Sequence, residues 1–265
     1  MNSNSIGKTS STLERALFLM ECLSEKADGA GISELSETTQ LPKSTIHRIL
    51  ETLLNHGFVT QDPGTEKYFI GLKAIEIGMA GLQNSDLVEA ARPHMQDLAT
   101  QTGQTSFLAV FDKGEIIYIY KVEGTSSFIM NAKLGTRSPA HCTGLGKAIL
   151  AYFSLETVDK IISEKGLKRY TPTTITDHQQ FLQELSRIRQ KGVAINREEL
   201  DEGLSSIAAP IFNYTGRVIA SVSVAGPTDK IFEQQEKIEA HILEKSHLIS
   251  KRLGFVPSMR AMYTP

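Results

Sequence analysis

Residues 43–48 of this chain, KSTIHR, gather an ammonium, two hydroxyls, an imidazole and a guanidinium on Lys43, Ser44, Thr45, His47 and Arg48. Those groups can read a nucleic acid. Arg bonds guanine in bidentate fashion, Ser and Thr bond bases or phosphates, and Lys meets phosphate as a point charge. The flanking sequence, ISELSETTQLPKSTIHRILETLLNHGFV over residues 32–59, shows how such a set is held. Ile32, Leu35, Leu41, Ile46, Ile49, Leu50 and Leu53 recur at helical spacing, giving each of two helices a single buried stripe. The polar residues are left on a free face, which suits entry into a DNA major groove. Ser33 on the first helix and Lys67 and Tyr68 beyond the second belong to the same candidate surface.

Other residues that could carry chemistry are less specific. Gly144-Leu-Gly-Lys147 resembles a phosphate loop only superficially, because the residue spacing is wrong and Ala148 replaces Ser/Thr. It reads better as a glycine-rich helix start whose N–H groups can meet a carboxylate, or as close helix–sheet packing. Glu198, Glu199, Asp201 and Glu202 form an acidic run. Paired carboxylates can do acid–base work, but such a run usually marks a solvated face. His141 and Cys142 are adjacent, which is not a chelating spacing. No matched nucleophile and base stands out, so no catalytic residue, metal or cofactor is expected.

The remaining elements follow from pattern. Leu13, Ala16, Leu17, Met20 and Leu23 line a first helix, broken by Ala27-Asp-Gly-Ala-Gly31. Ser33 is expected to cap the next helix, with Glu37 as its capping-box partner, and Leu41-Pro42 to form the turn. Gly57 stops the second helix. Phe58–Gln61 and Lys67–Ile70 are strand-like around Asp62-Pro-Gly-Thr65, a β-hairpin wing. Residues 71–83 read as a connecting helix. Beyond it come a helix containing Leu87, Ala91, Met95 and Leu98, then strands at Thr105–Phe111, Glu115–Val122 and Ser127–Ala132. Helices near 144–153, 155–164 and 178–190, strands at Ala208–Phe212 and Val218–Val224, and one long helix over about 229–253 complete an α+β pattern.

Composition sets the bounds. At 265 residues the chain has room for two domains, and 40 % apolar content supports a core. No apolar run is long enough for a transmembrane helix. The polar start, MNSNSIGKTSSTLER, lacks the apolar middle of a signal peptide. A cytoplasmic protein with Cys22 and Cys142 as free thiols is expected. Net charge is −2. Acidic residues outnumber basic ones even in residues 1–75, so Glu14, Glu21, Glu25, Glu34 and Glu37 must face away from any DNA. Weak phosphate attraction per protomer then calls for dimers.

Three segments together resemble one family: LPKSTIHRIL (41–50) followed by HGFV and YFIGLK, HCTGLGKAILA (141–151), and KGVAINREELDEGLSSIAAPIFNYTGRVIASVSVAGP (191–227). In this order and spacing they are similar to the IclR-type bacterial transcriptional regulators, over nearly the whole chain. The resemblance implies an α+β chain with an N-terminal winged helix-turn-helix and a C-terminal GAF/PAS-like effector-binding domain. Together with the residue pattern above, the expected division is a disordered tail at 1–10, the DNA-binding domain at 11–71, a linker helix at 72–83, the effector domain at 84–256 and a C-terminal tail at 257–265. The implied partners are a palindromic DNA operator, a small carboxylate effector and further copies of the chain as dimer or tetramer, with no membrane.

The resemblance also places the effector at Gly144, Leu145, Asn196, Ser206, Ser223 and Ala225, and Met130 and Phe128 can supply an apolar wall. Asn196 stands where an acidic residue is common, Ala225 where Ser is common, and Ser206 where Cys is common. Ser36 stands where Ala is usual. Gln40 holds a turn site often given to Gly, which implies a positive φ at some cost. The pocket reads as more polar than aromatic, which points to a sugar acid or keto-deoxy acid. The alternatives are a small-acid-processing α+β enzyme and a protein-interaction module.

Overall fold

The computed structural model describes residues 11–83, 86–125 and 132–256. The tails, Phe128, Met130 and most of the expected strand Ser127–Ala132 lie outside the described residues. The chain divides into two compact units between Asn84 and Ser85.

The N-terminal unit holds α1 (Ser11–Ser24), α2 (Ile32–Thr39), α3 (Lys43–Asn55), β1 (Val59–Gln61), β2 (Tyr68–Ile70) and α4 (Leu72–Gln83). Its core is the stripe the spacing defines. Leu19 and Leu23 of α1, Leu35 of α2, and Ile46, Ile49 and Leu50 of α3 pack with Val59 and Tyr68. The α2–α3 turn depends on Gln40, which adopts the left-handed conformation (φ 58°) and donates its N–H to the Ser36 carbonyl. Ser36 Oγ donates to the Leu41 carbonyl at 2.7 Å and fixes the turn from inside. α3 ends where Gly57 (φ +72°) lets its own N–H reach Leu54 O and that of Phe58 reach Leu53 O, a Schellman closure. β1 and β2 pair antiparallel, with Thr60 opposite Phe69. Asp62 Oδ1 accepts from the Gly64 and Thr65 N–H groups and the Thr65 hydroxyl, which shapes the wing turn. One expectation fails here: Ser33 is not a cap. α2 starts at Ile32 with Gly31 before it and no side-chain cap, because Ser33 already lies inside the first turn.

The second unit starts with α5 (Asp86–Thr102). A six-stranded antiparallel sheet follows, built from β3 (Thr105–Asp112), β4 (Glu115–Val122), β5 (Arg137–Pro139), β6 (Ala194–Arg197), β7 (Leu204–Phe212) and β8 (Val218–Pro227). The order is β5-β4-β3-β8-β7-β6. Between β5 and β6 come α6 (Gly144–Leu150), α7 (Leu155–Lys165) and α8 (His178–Lys191). After β8 come α9 (Thr228–Glu233) and α10 (Gln235–Arg252). α5 and α10 cover one face of the sheet and α6 the other, with α8 packed on α6. The two-residue turn at Lys113 and Gly114 has φ +49° and +89°, which makes the β3–β4 hairpin tight. Alternation sends Phe107, Ala109 and Ala225 to the α6 side and Leu108, Val222 and Val224 to the other. β5 and β6 escape the sequence reading because each is too short to show alternation. The long C-terminal helix is two, interrupted at Gln234.

Candidate DNA-reading face and ligand cavity

On α3 the buried stripe Ile46–Ile49–Leu50 fixes which residues point outward. Lys43, Ser44, His47 and Arg48 are exposed and Thr45 is half-buried. Lys43 Nζ donates to Ser33 Oγ at 2.8 Å, so these two predicted residues form a contact across the α2–α3 turn. Lys67 is half-buried and reaches the Asp28 carbonyl at 3.4 Å. Tyr68 is placed differently: it is 5 % exposed and belongs to the unit's core. It is the first residue of β2, and the bridge from Ala30 to its backbone turns the ring inward. Glu34 is paired with Lys26 at 2.8 Å, which holds its carboxyl below the usual range and blunts one of the acidic charges nearby.

The second unit holds a partly open cavity of about 440 Å³ between the α6 face of the sheet, the start of α6 and the β6–β7 turn. Six predicted residues, Gly144, Leu145, Asn196, Ser206, Ser223 and Ala225, all line it. They come from four elements. β7 pairs with β8 so that Ser206 faces Ala225, and with β6 so that it faces Asn196. Thr143 caps α6 by accepting the Gly146 N–H at 3.1 Å, while its own hydroxyl donates to Pro139 O. Gly144 packs closely on β7: a Cβ there would lie 2.8 Å from Ser206 Oγ, which would have to turn away.

The serines of the cavity face differ in duty. Ser221 Oγ donates to Leu145 O at 2.9 Å and pins α6 to β8. Ser205 Oγ is paired with Thr228 Oγ1 at 2.9 Å. Ser223 Oγ, on a residue 1 % exposed, has no hydrogen-bond partner among the described residues. Phe107 and Tyr118 make the aromatic wall, edge to face with centroids 5.4 Å apart. Burial pushes the Tyr118 hydroxyl up from its ordinary value.

Sequence reasoning missed Phe107, Tyr118, Thr143, Leu200, Asp201 and Leu204, which also line the cavity. The acidic run needs correction as well. Asp201 and Glu202 are exposed, as a solvated run would be, but Glu199 is buried against Lys147, itself fully buried. Burial pushes the Glu199 carboxyl up and Lys147 pulls it back. The signal was available: a lysine inside the apolar run GLGKAILA needs a buried acceptor. Cys142 beside it is an inert thiol, pushed up to about 12 by burial. His141 Nε2 is engaged with Lys168 O at 2.9 Å, and burial lowers its pKa.

A helix-turn-helix with a free polar face, carried on the same chain as a unit with a partly open cavity of mixed polar and apolar lining, is the architecture of a ligand-controlled DNA-binding transcription regulator. The IclR helix-turn-helix domain matches residues 12–63, and the bacterial transcriptional regulator IclR C-terminal domain matches residues 79–251. The chain is 35 % identical to the HTH-type transcriptional regulator KdgR of Dickeya chrysanthemi over 247 residues, 92 % of this chain and 80 % of that protein. It is 33 % identical to the HTH-type transcriptional repressor AllR of Escherichia coli K12 over 248 residues, 93 % of this chain and 92 % of that protein. The crystal structure of the Thermotoga maritima IclR matches with a TM-score of 0.76 and 31 % identity, covering 92 % of this chain and 99 % of that one. The chain therefore belongs to the IclR family of bacterial transcriptional regulators.

Proposed function

We propose that this regulator is a cytoplasmic repressor of a catabolic operon, released or recruited by a small polyhydroxylated acid, either a sugar acid or a keto-deoxy acid. The acid occupies the cavity behind α6. The observation that carries this reading is the cavity itself, where Asn196, Ser206 and Ser223 of three strands converge with the start of α6; Ser223 Oγ, buried in the wall with no hydrogen-bond partner among the described residues, is reached only if the wall yields to the ligand. Ser206, Asn196 and the Asp201 carboxylate offer further sites for ligand hydroxyls, against one aromatic pair. The relatives' names, a regulator and a repressor, support the sign of the control.

α3 reads a palindromic operator through Ser44, Thr45, His47 and Arg48, with Lys43, Ser33 and Lys67 near the phosphates. A homo-oligomer supplies the second half-site. Leu72, Ile75 and Met79 fall on one face of α4 and are exposed, an apolar surface that a second copy would cover. Effector and operator binding are linked, so each changes the other's affinity by the same factor.

Thermal denaturation of the full chain with D-gluconate, 2-keto-3-deoxygluconate, pyruvate and 4-hydroxybenzoate tests the ligand. A sugar or keto-deoxy acid should raise the midpoint by mass action; stabilisation by the aromatic acid alone would overturn the assignment.

A further inference from the structure

Lys147 is an anomaly in α6. Every residue of that helix is buried, and Lys147 has no exposed surface at all. While Thr143, Gly144 and Leu145 face the cavity, its ammonium runs the other way and donates to three acceptors. These are Ile195 O of β6 at 2.8 Å, Glu199 Oε1 of the β6–β7 turn at 2.5 Å and Glu184 Oε1 of α8 at 3.4 Å. Two of the three acceptors adjoin residues that line the cavity. Ile195 precedes Asn196, and Glu199 precedes Leu200 and Asp201.

The turn is gripped from its other side as well. Thr171 and Thr173 hydroxyls donate to Glu198 O at 2.6 and 2.9 Å, and Thr174 Oγ1 donates to Glu199 O at 2.7 Å. Asn196 Oδ1 accepts the Glu199 N–H at 2.8 Å. These bonds hold Glu198 at φ +57°, a left-handed conformation that a residue with a side chain avoids unless its surroundings impose it. A buried ion pair adds little to stability compared with well-packed apolar side chains of similar volume. Here its geometric effect is specific: one cation ties α6, α8, β6 and the acidic turn together.

We infer that Lys147 and Glu199 are positioning residues for ligand recognition: their buried pair locks the β6–β7 turn so that Leu200 and Asp201 form the cavity wall. The inference rests on the cavity being the effector site. Removing the ammonium leaves Glu199 as a buried charge without its partner, and the carboxylate leaves the interior, taking the turn with it. Removing both charges lets the turn settle back.

The test is amide hydrogen exchange on the ligand-free full chain together with binding of the acid panel above. In K147M, amides of residues 198–203 should exchange at least tenfold faster, with the centres of β7 and β8 unchanged. The K147M/E199Q double variant should recover most of that protection, which summed packing losses would not. E199Q, which keeps the side-chain shape, should show a smaller loosening of the same segment and serves if K147M does not fold. The dissociation constant of whichever acid binds the wild type should rise at least tenfold in K147M and fall again in the double variant. Unchanged exchange in K147M and E199Q, or no recovery in the double variant, would overturn the inference. Failure of every acid to bind the wild type would count instead against the choice of ligand, and the exchange result would still decide the positioning claim.

Discussion

The two candidate sites are built in opposite ways. The face of α3 is mostly exposed and continuous in sequence; among the described residues the Lys43–Ser33 contact is the one side-chain hydrogen bond its candidate reading residues make. The cavity of the second unit is assembled from α6, β6, β7, β8 and the β6–β7 turn, and most of its polar groups are also structural. Thr143 caps a helix, Asn196 holds a turn and Ser205 ties β7 to α9. A reading surface of the first kind can change its residues without disturbing the fold. In a cavity of the second kind, function and stability are mutated together.

The largest effect that sharpens this contrast is Gly146→Ala. Its added Cβ would sit 2.2 Å from the Ala140 carbonyl oxygen, a backbone atom that cannot move aside. A loss of about 3 kcal/mol is expected for the second unit, measured by chemical denaturation. A loss below about 0.5 kcal/mol would mean the α6 packing is looser than described. Arg48→Ala comes next and should behave in the reverse manner. Operator affinity should fall by about 1–3 kcal/mol in a gel shift, since Arg–base contacts are worth that much, while the denaturation midpoint stays put.

Ser223→Ala divides the two properties inside the cavity itself. Its hydroxyl has no hydrogen-bond partner among the described residues, so folding stability should hold or rise slightly. Affinity for the acid should drop by about 1 kcal/mol, read by calorimetric titration. A clear loss of stability would show that Ser223 is structural after all. The smallest effect is at the wing. The Thr65 hydroxyl and N–H groups hold Asp62 below its ordinary value. A depressed carboxylate adds stability above its unfolded pKa and loses it as pH falls through the folded one. The wing turn should therefore stay intact down to below about pH 4, the ordinary Asp range. An NMR titration placing Asp62 at or above that range would remove this anchor.

The same contrast explains what could be read from the sequence. The N-terminal unit announces itself because its information is local: the Ile46–Ile49–Leu50 stripe, the Gln40 turn and Gly57 each act within a few residues. Tyr68 was misread because a strand of three residues gives no period to say which side faces in. In the second unit the helices and long strands are visible. β5 and β6 are not, and neither is the bend at Gln234. The six lining residues came from likeness to a family, not from spacing, since strand pairing alone brings Ser206 beside Asn196 and Ala225. Lys147 and Glu199 stand 52 positions apart, and only the fold shows that the acid is the lysine's partner.

Binding of the full chain to the DNA upstream of its own gene, measured by fluorescence anisotropy across a salt series, tests the central claim most directly. The logarithm of affinity should fall linearly with the logarithm of salt concentration, and Arg48→Ala should weaken binding throughout that series. An affinity indifferent to salt, or a folded Arg48→Ala variant binding as tightly as the wild type, would contradict that claim.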